Sequence, residues 1–377
     1  MSQNPPPHSK DMHFPIHTMV HTSPQGFWSH FYNGAVKPGA LLDPTGVAIT
    51  IDHLKPIVLV LFSAYWCPPC RALTPSLVQF GHDHVDDVSI VYVSRDYNSA
   101  MQQFNLRTKP TYNRYEWTAG NVELFNQLKA VYPSIMGIPT LFAVDRDSGN
   151  VLAERAAVSI RLRPETVISE WRAGRDISKE EENAWWNSTR GGDLPQVDLM
   201  PHLPWSSLVD ASGNPVPFES LHDFIVLYFG AVWAQDDEAL TPTLAAFATN
   251  HPDDVSVVYF SLDVDATGLD TILDGAESVL RFAWTEELAT IAYNLDQVMT
   301  KDCDRNTLAA PRALVIEKES HKVLESYQYG FFIKPKSLVD AWKRGVSGVT
   351  DDEVGAYFEA KYAAQAKKNE EARKAKD

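Results

Sequence analysis

The chain has little cysteine, no long apolar run and no excess of positive charge. Three cysteines in 377 residues are too few for the disulfide framework of a secreted scaffold. No apolar stretch approaches the ~18 residues that span a bilayer. The opening segment "MSQNPPPHSKDMHFPIHTMVHTSP" has neither the charged start nor the apolar middle of a signal peptide. The expectation is a soluble cytoplasmic protein, with the nucleus also open to it and no membrane partner. Lys and Arg number 33 against 49 Asp and Glu, and the resulting formal net charge of -16 repels phosphate backbones, so nucleic acid is not an expected partner either.

What is present is ordinary globular material, with 44% hydrophobic and 22% charged residues, enough for real cores. At roughly 100 to 200 residues per domain, the length predicts two or three domains. The chain also repeats itself. Trp66 and Trp233 differ by 167, and the same offset pairs "DDVSIVYVSRD" (86–96) with "DDVSVVYFSLD" (253–263). From Thr74 to Asp96, 13 of 23 positions are identical in the shifted copy, far beyond chance. The offset drifts to 172 for Pro139 and Pro311 and to 171 for Trp171 and Trp342, which places a small insertion near "VMTKDCDRNTLAA". A period this long is a duplicated domain and not a solenoid.

In the first copy "IVLVLFSA" is a continuous apolar run with β-branched residues, which reads as a buried strand over Ile57 to Ser63. A helix is expected from Pro68, since proline is tolerated in the first turn. Leu73, Leu77 and Phe80 then form one apolar face, and Pro75 is expected to kink the helix. "VSIVYVS" (88–94) reads as the next strand, followed by a polar helical stretch, the strand in "GIPTLFAVD", a hairpin partner in "GNVLAERA" and a closing helix ended by Gly174. The second copy repeats the order. The fold class is therefore α/β, two tandem domains, each a central mixed sheet flanked by helices. The expected division is a flexible tail over 1–24, the first domain over 25–175, a helical and Gly/Pro linker over 176–200, the second domain over 201–348 and a charged helix over 349–377.

The two copies share the frame Ala-x-Trp followed by Ala-Leu-Thr-Pro, but Cys67-Pro68-Pro69-Cys70 of the first is Ala234, Gln235, Asp236 and Asp237 in the second. Cys67 and Cys70 fall where a buried strand hands over to a helix. The partial positive charge and unpaired N–H groups of a helix N-terminus favour thiolate over thiol, and the three-residue spacing lets Cys70 resolve a mixed disulfide on Cys67. Zinc sites use the same spacing but need further ligands. The only other cysteine, Cys303, is in the other copy, where a bystander thiol is the expectation. In that copy Asp236 and Asp237 suit a helix N-terminus, and Pro311 with Arg312 leaves room for a peptide or anion groove.

"WCPPCR" followed downstream by "GIPTLFAVD" resembles the tryparedoxin and nucleoredoxin branch of the thioredoxin superfamily, over Ile57 to about Gly174 and, without the cysteines, over Phe224 to about Gly345. The resemblance implies two thioredoxin-like domains, the second lacking the redox cysteines. It implies Cys67 as the exposed nucleophile and Cys70 as the resolving thiol. Trp66 would be a wall of the site, and Pro139 a cis proline that presents Ile138 to an extended substrate, with Pro68 and Pro69 in the same surface. Many thioredoxins bury an Asp six residues before the nucleophile; that position is Leu61 here. Trp117 is read as either lining the site or part of the core. The function this implies is reduction of disulfides in protein substrates, with an external dithiol or reductase as electron donor and no cofactor. The other reading is a redox-sensitive binding scaffold, with the second domain supplying partner contacts in either case.

Overall fold

The computed structural model describes residues 26–32, 37–188, 197–234, 237–300, 308–326 and 328–374. The tail 1–24, Asp236, the Asp237 side chain and Cys303 lie outside the described residues.

The first half runs α1 (Ser29–Tyr32), β1 (Leu41–Leu42), β2 (Ile57–Ser63), α2 (Pro68–Asp83), β3 (Val88–Ser94), α3 (Ser99–Leu106), β4 (Asn113–Tyr115), α4 (Ala119–Val131), β5 (Thr140–Asp145), β6 (Val151–Ala153), α5 (Ala156–Leu162) and α6 (Val167–Arg172). Its sheet has the order β1-β4-β3-β2-β5-β6. β2, β3 and β4 are parallel, while β5 runs antiparallel to β2 and β6 antiparallel to β5. The helix α7 (Lys179–Ser188) follows.

The second half runs β7 (Leu208–Val209), β8 (Phe224–Gly230), α8 (Asp237–Asn250), β9 (Val255–Ser261), α9 (Thr267–Ile272), β10 (Val279–Phe282), α10 (Leu288–Thr300), β11 (Arg312–Glu317), β12 (Val323–Glu325), α11 (Tyr329–Ile333) and α12 (Leu338–Trp342). Its sheet order, β7-β10-β9-β8-β11-β12, is that of the first. The charged C-terminal run forms α13 (Asp351–Lys374). No described helix is long and apolar enough to cross a membrane.

The unbroken apolar runs follow from burial on both faces of each sheet. Along β2, Ile57, Leu59 and Leu61 enter one core and Val58, Val60 and Phe62 the other. Phe224, Val226 and Tyr228 of β8 alternate with Ile225, Leu227 and Phe229 in the same way. Each such side chain contributes about 1.5–3 kcal/mol when fully buried, an upper estimate because the unfolded chain already covers part of it. Leu73, Leu77 and Phe80 press the inner face of α2 onto the sheet, and the helix runs on through Pro75. Gly174 (φ 70°) and Gly345 (φ 72°) occupy the left-handed positions that end α6 and α12. Their N–H groups close back on the buried Trp171 and Trp342.

The structure differs from the expected element order at the sheet edges. The polar stretch after β3 is two helices with the three-residue strand β4 between them, and β1 and β7 are two-residue strands at the sheet edges. Segments this short carry no readable alternation and exist because a neighbouring strand offers its free edge.

Candidate active site

β2 ends at Ser63 and α2 begins at Pro68, so Ala64 to Cys67 form the turn at the carboxyl end of the central strand. Cys67 is the residue before the first helical turn, with extended backbone. Cys67 and Cys70 form a disulfide, with Cα atoms 5.2 Å apart. Pro68 and Pro69 fill the first two helical positions, so two of the N–H groups a helix N-terminus normally offers are missing. The Cys70 and Arg71 N–H groups both turn to the Cys67 carbonyl, at 3.1 and 3.2 Å. The expected ring of unpaired amides is therefore absent here, and the helix dipole is what remains to favour a thiolate.

The loop before β5 meets this turn. Ile138–Pro139 is a cis peptide, and the Ile138 carbonyl oxygen lies 3.5 Å from Cys67 Sγ. Ala64, Trp66 and Ile138 pack around the two sulfurs. Trp66 is anchored by a 3.1 Å bond from its Nε1 to the Arg95 carbonyl and stacks on Tyr97 at 5.6 Å and 13°. Pro68, Pro69, Ile138 and Pro139 line a groove of about 670 Å³ beside the disulfide, with the exposed Met136 on its rim. The far wall is α7: Glu182 pairs with Arg155 at 2.7 Å, and Arg161 lies 5.4 Å over the Trp185 ring.

All seven residues singled out in the sequence thus converge. Exposure is the exception. The resemblance implies an exposed Cys67, but only 4% of the residue is accessible, because Trp66 and Ile138 close over it.

Beneath the turn sits a buried carboxylate that the sequence reading did not single out. Asp96, just beyond β3, accepts the Tyr65 N–H at 2.6 Å and the Tyr92 and Ser94 hydroxyls at 2.8 Å each. Burial pushes its carboxyl above the usual carboxylate range, against the pull of those bonds. Trp117 donates to the Asp96 carbonyl at 2.8 Å, which makes it part of this framework. The signal was available: Asp96 and its counterpart Asp263 close the most strongly repeated segment. Lys109 is buried nearby, donating to Asn105, and desolvation lowers its pKa to about 7. Leu61, in the position of the family's usual Asp, is core.

The second half keeps the framework, with Ala234 at the position of Cys67. Val232 N–H donates to Asp263 at 3.0 Å, Ser261 to Asp263 at 3.1 Å and Trp284 to the Asp263 carbonyl at 3.2 Å. Ala310–Pro311 is also cis. Arg312 does not face a groove there: it is 1% exposed and donates to the Ser326 carbonyl at 2.9 Å. Among the described residues no three His, Cys, Asp or Glu side chains gather to hold a metal.

A mixed sheet whose central strand delivers a C-x-x-C pair to a helix N-terminus opposite a cis proline is the arrangement of a thioredoxin-like domain. Residues 55–151 match the thioredoxin-like family model, and the chain carries that domain. Proteins similar to it include nucleoredoxins and tryparedoxins. The chain is 28% identical to probable nucleoredoxin 1 of Arabidopsis thaliana over 239 residues, covering 58% of this chain and 38% of that protein. It is 27% identical to the tryparedoxin of Trypanosoma brucei brucei over 140 residues, covering 36% of this chain and 93% of that one. Tryparedoxin II from C. fasciculata aligns at 25% identity with a TM-score of 0.32, over 37% of this chain and 91% of that structure. The chain thus spans well under half of the Arabidopsis nucleoredoxin.

Proposed function

We propose that this chain is a thiol–disulfide oxidoreductase that reduces protein disulfides through Cys67 and Cys70. In the dithiol form the Cys67 thiolate attacks one sulfur of a substrate disulfide. That S–S bond breaks, a Cys67–substrate disulfide forms, and the displaced sulfur leaves as a thiolate that takes a proton from water. Cys70, its proton given up to water, then attacks Cys67 Sγ; the mixed disulfide breaks and the second substrate thiol departs. Two electrons have passed to the substrate, and an external dithiol or reductase returns them.

The observation that carries this reading is the Cys67–Cys70 pair at the head of α2, with the Ile138 carbonyl against Cys67 Sγ. The adjoining groove suits an extended peptide. The second domain, over 201–348, is read as a non-catalytic substrate- or partner-binding module, since Ala234 and Asp237 cannot exchange thiols.

The small accessible surface of Cys67 favours a second reading, a redox-sensitive scaffold whose work is partner binding. Insulin reduction by dithiothreitol, followed as turbidity, separates the two. The oxidoreductase reading expects catalysis that disappears in Cys67→Ser, and turnover surviving that change would refute it. Partner capture undiminished in Cys67→Ser/Cys70→Ser would instead support the scaffold.

A further inference from the structure

Arg71 directly follows Cys70, yet its side chain is turned out of the first domain's own chemistry and into the second domain. The side chain is only 6% exposed, and its Nε donates to Asp296 Oδ2 of α10 at 2.8 Å. Asp296 is fully buried, and its other oxygen accepts the Leu308 N–H at 2.7 Å. The same guanidinium donates through its Nη1 to the Tyr65 carbonyl at 2.6 Å and lies 5.6 Å from the Tyr65 ring centre. Tyr65 is therefore held at both ends of its backbone: its N–H by Asp96 of its own domain, its carbonyl by a cation that the other domain neutralises. Two residues later comes Cys67.

The contact is a built interface. The Tyr65 and Trp233 rings meet edge to face at 6.1 Å, and Tyr65, Phe104, Trp233 and Trp284 share one apolar cluster. Trp233 is the counterpart of Trp66 at the repeat offset, so the disarmed copy of the site packs against the flank of the armed one. The duplication does not explain the pair, because the counterpart of Arg71 at the same offset is Glu238. The charged neighbours of the pair are Lys109 and Asp96 from the first domain and Arg312 and Asp263 from the second.

We propose that Asp296 is a positioning residue for the redox pair: by fixing Arg71 on the Tyr65 carbonyl and cancelling its charge, the second domain sets how readily Cys67 ionises. The proposal rests on the exchange reading above. The physical reason is proximity in a poorly solvated place. Arg71 lies one helical turn beyond Cys67 and donates its N–H to the Cys67 carbonyl at 3.2 Å. A lone guanidinium there would attract a thiolate, and a lone carboxylate would repel one. Paired, the two nearly cancel. With the two prolines removing amide donors from the helix N-terminus, this outside control weighs more than it would beside an ordinary first turn.

The test is the pH profile of Cys67 alkylation by iodoacetamide, measured on the reduced full chain carrying Cys70→Ser. Asp296→Asn leaves Arg71 charged and unpaired, and the Cys67 pKa is expected to fall by roughly half to one unit. Arg71→Met is expected to raise it by a similar amount. Arg71→Met/Asp296→Leu is expected to return it to within a few tenths of the parent. A merely structural role would move both single variants in one direction and would not be repaired by the double change. Asp296→Glu keeps the charge and is expected to keep the parent profile, which guards against reading a loosened fold as an electrostatic effect. Profiles that coincide in all variants, or single variants that shift together, overturn the proposal. If that happens while insulin reduction still depends on Cys67, only the positioning role falls. If insulin reduction proves independent of Cys67, the exchange reading falls, whatever the profiles do.

Discussion

Asp96 accepts the Tyr65 backbone N–H at 2.6 Å across 31 positions of sequence, joining the end of β3 to the turn that carries Cys67. The same bond, across the same separation, joins Asp263 to Val232 in the second domain, where no cysteine follows. The carboxylate therefore belongs to the turn before it belongs to any chemistry. Asp96→Ala would strand the Tyr65 N–H in the interior and take one acceptor from the Tyr92 and Ser94 hydroxyls, of which Tyr92 keeps the Ser63 carbonyl and Asn105 and Ser94 keeps the N–H of residue 96. At roughly 1–3 kcal/mol for one unsatisfied buried donor, a loss of about 2 kcal/mol is expected. Urea unfolding of the full chain measures it, and a loss under about 1 kcal/mol would show that the turn holds itself.

Asp263 provides a pH prediction with a definite sign. Burial raises its carboxyl to about 6, against the bonds from Val232 and Ser261 that lower it, while an unfolded Asp titrates near ~3.9. The folded form thus holds its proton more tightly than the unfolded form. Its contribution is fully present below about pH 4 and is lost as pH rises toward 6, amounting to about 2–3 kcal/mol. Asp263→Asn keeps an acceptor for Val232 and carries no charge, so the difference between variant and parent should grow in the variant's favour from pH 4 to pH 6 and then level off. Denaturant midpoints at pH 4, 5, 6 and 7 check this; a constant difference would mean that Asp263 does not titrate in that window.

The groove wall contributed by α7 gives a prediction about substrate. Trp185 lies under Arg161 and lines the groove beside the disulfide. Trp185→Ala should raise KM for insulin by about three- to tenfold, in line with the loss of one aromatic contact of a few tenths to ~1.5 kcal/mol. Reduction of the Cys67–Cys70 disulfide by dithiothreitol, too small to need the wall, should be unchanged. Equal effects on both substrates would remove α7 from the binding surface.

The family resemblance implied the meeting of Cys67 and Cys70 with Ile138 and Pro139, while the central strands, the helix starting at Pro68 and the hairpin of β5 and β6 are legible in the sequence itself. Each rests on a local signal: a run such as Ile57 to Ser63 buried on both faces, a proline-led helix start, a glycine at Gly174 that alone takes a positive φ cheaply. The short strands β1, β4 and β7 are not legible, because two or three residues pair only when a neighbouring strand is already there. Met136, Tyr97 and Trp185 carry no local mark of the site either; they reach it through loops and a helix whose paths are set elsewhere.

Sequence by itself determined the duplication and the single arming of it, since identity at a fixed offset and the loss of two sulfurs are facts of covalent structure. Only tertiary structure decided how Cys67 is presented. Its burial comes from Trp66 and Ile138 closing over it, and the partner of Arg71 is a carboxylate 225 positions away. Neither could be read along the chain, because burial and charge pairing act through space, and the energy of a buried ion depends on which counter-charge the fold brings within hydrogen-bond reach.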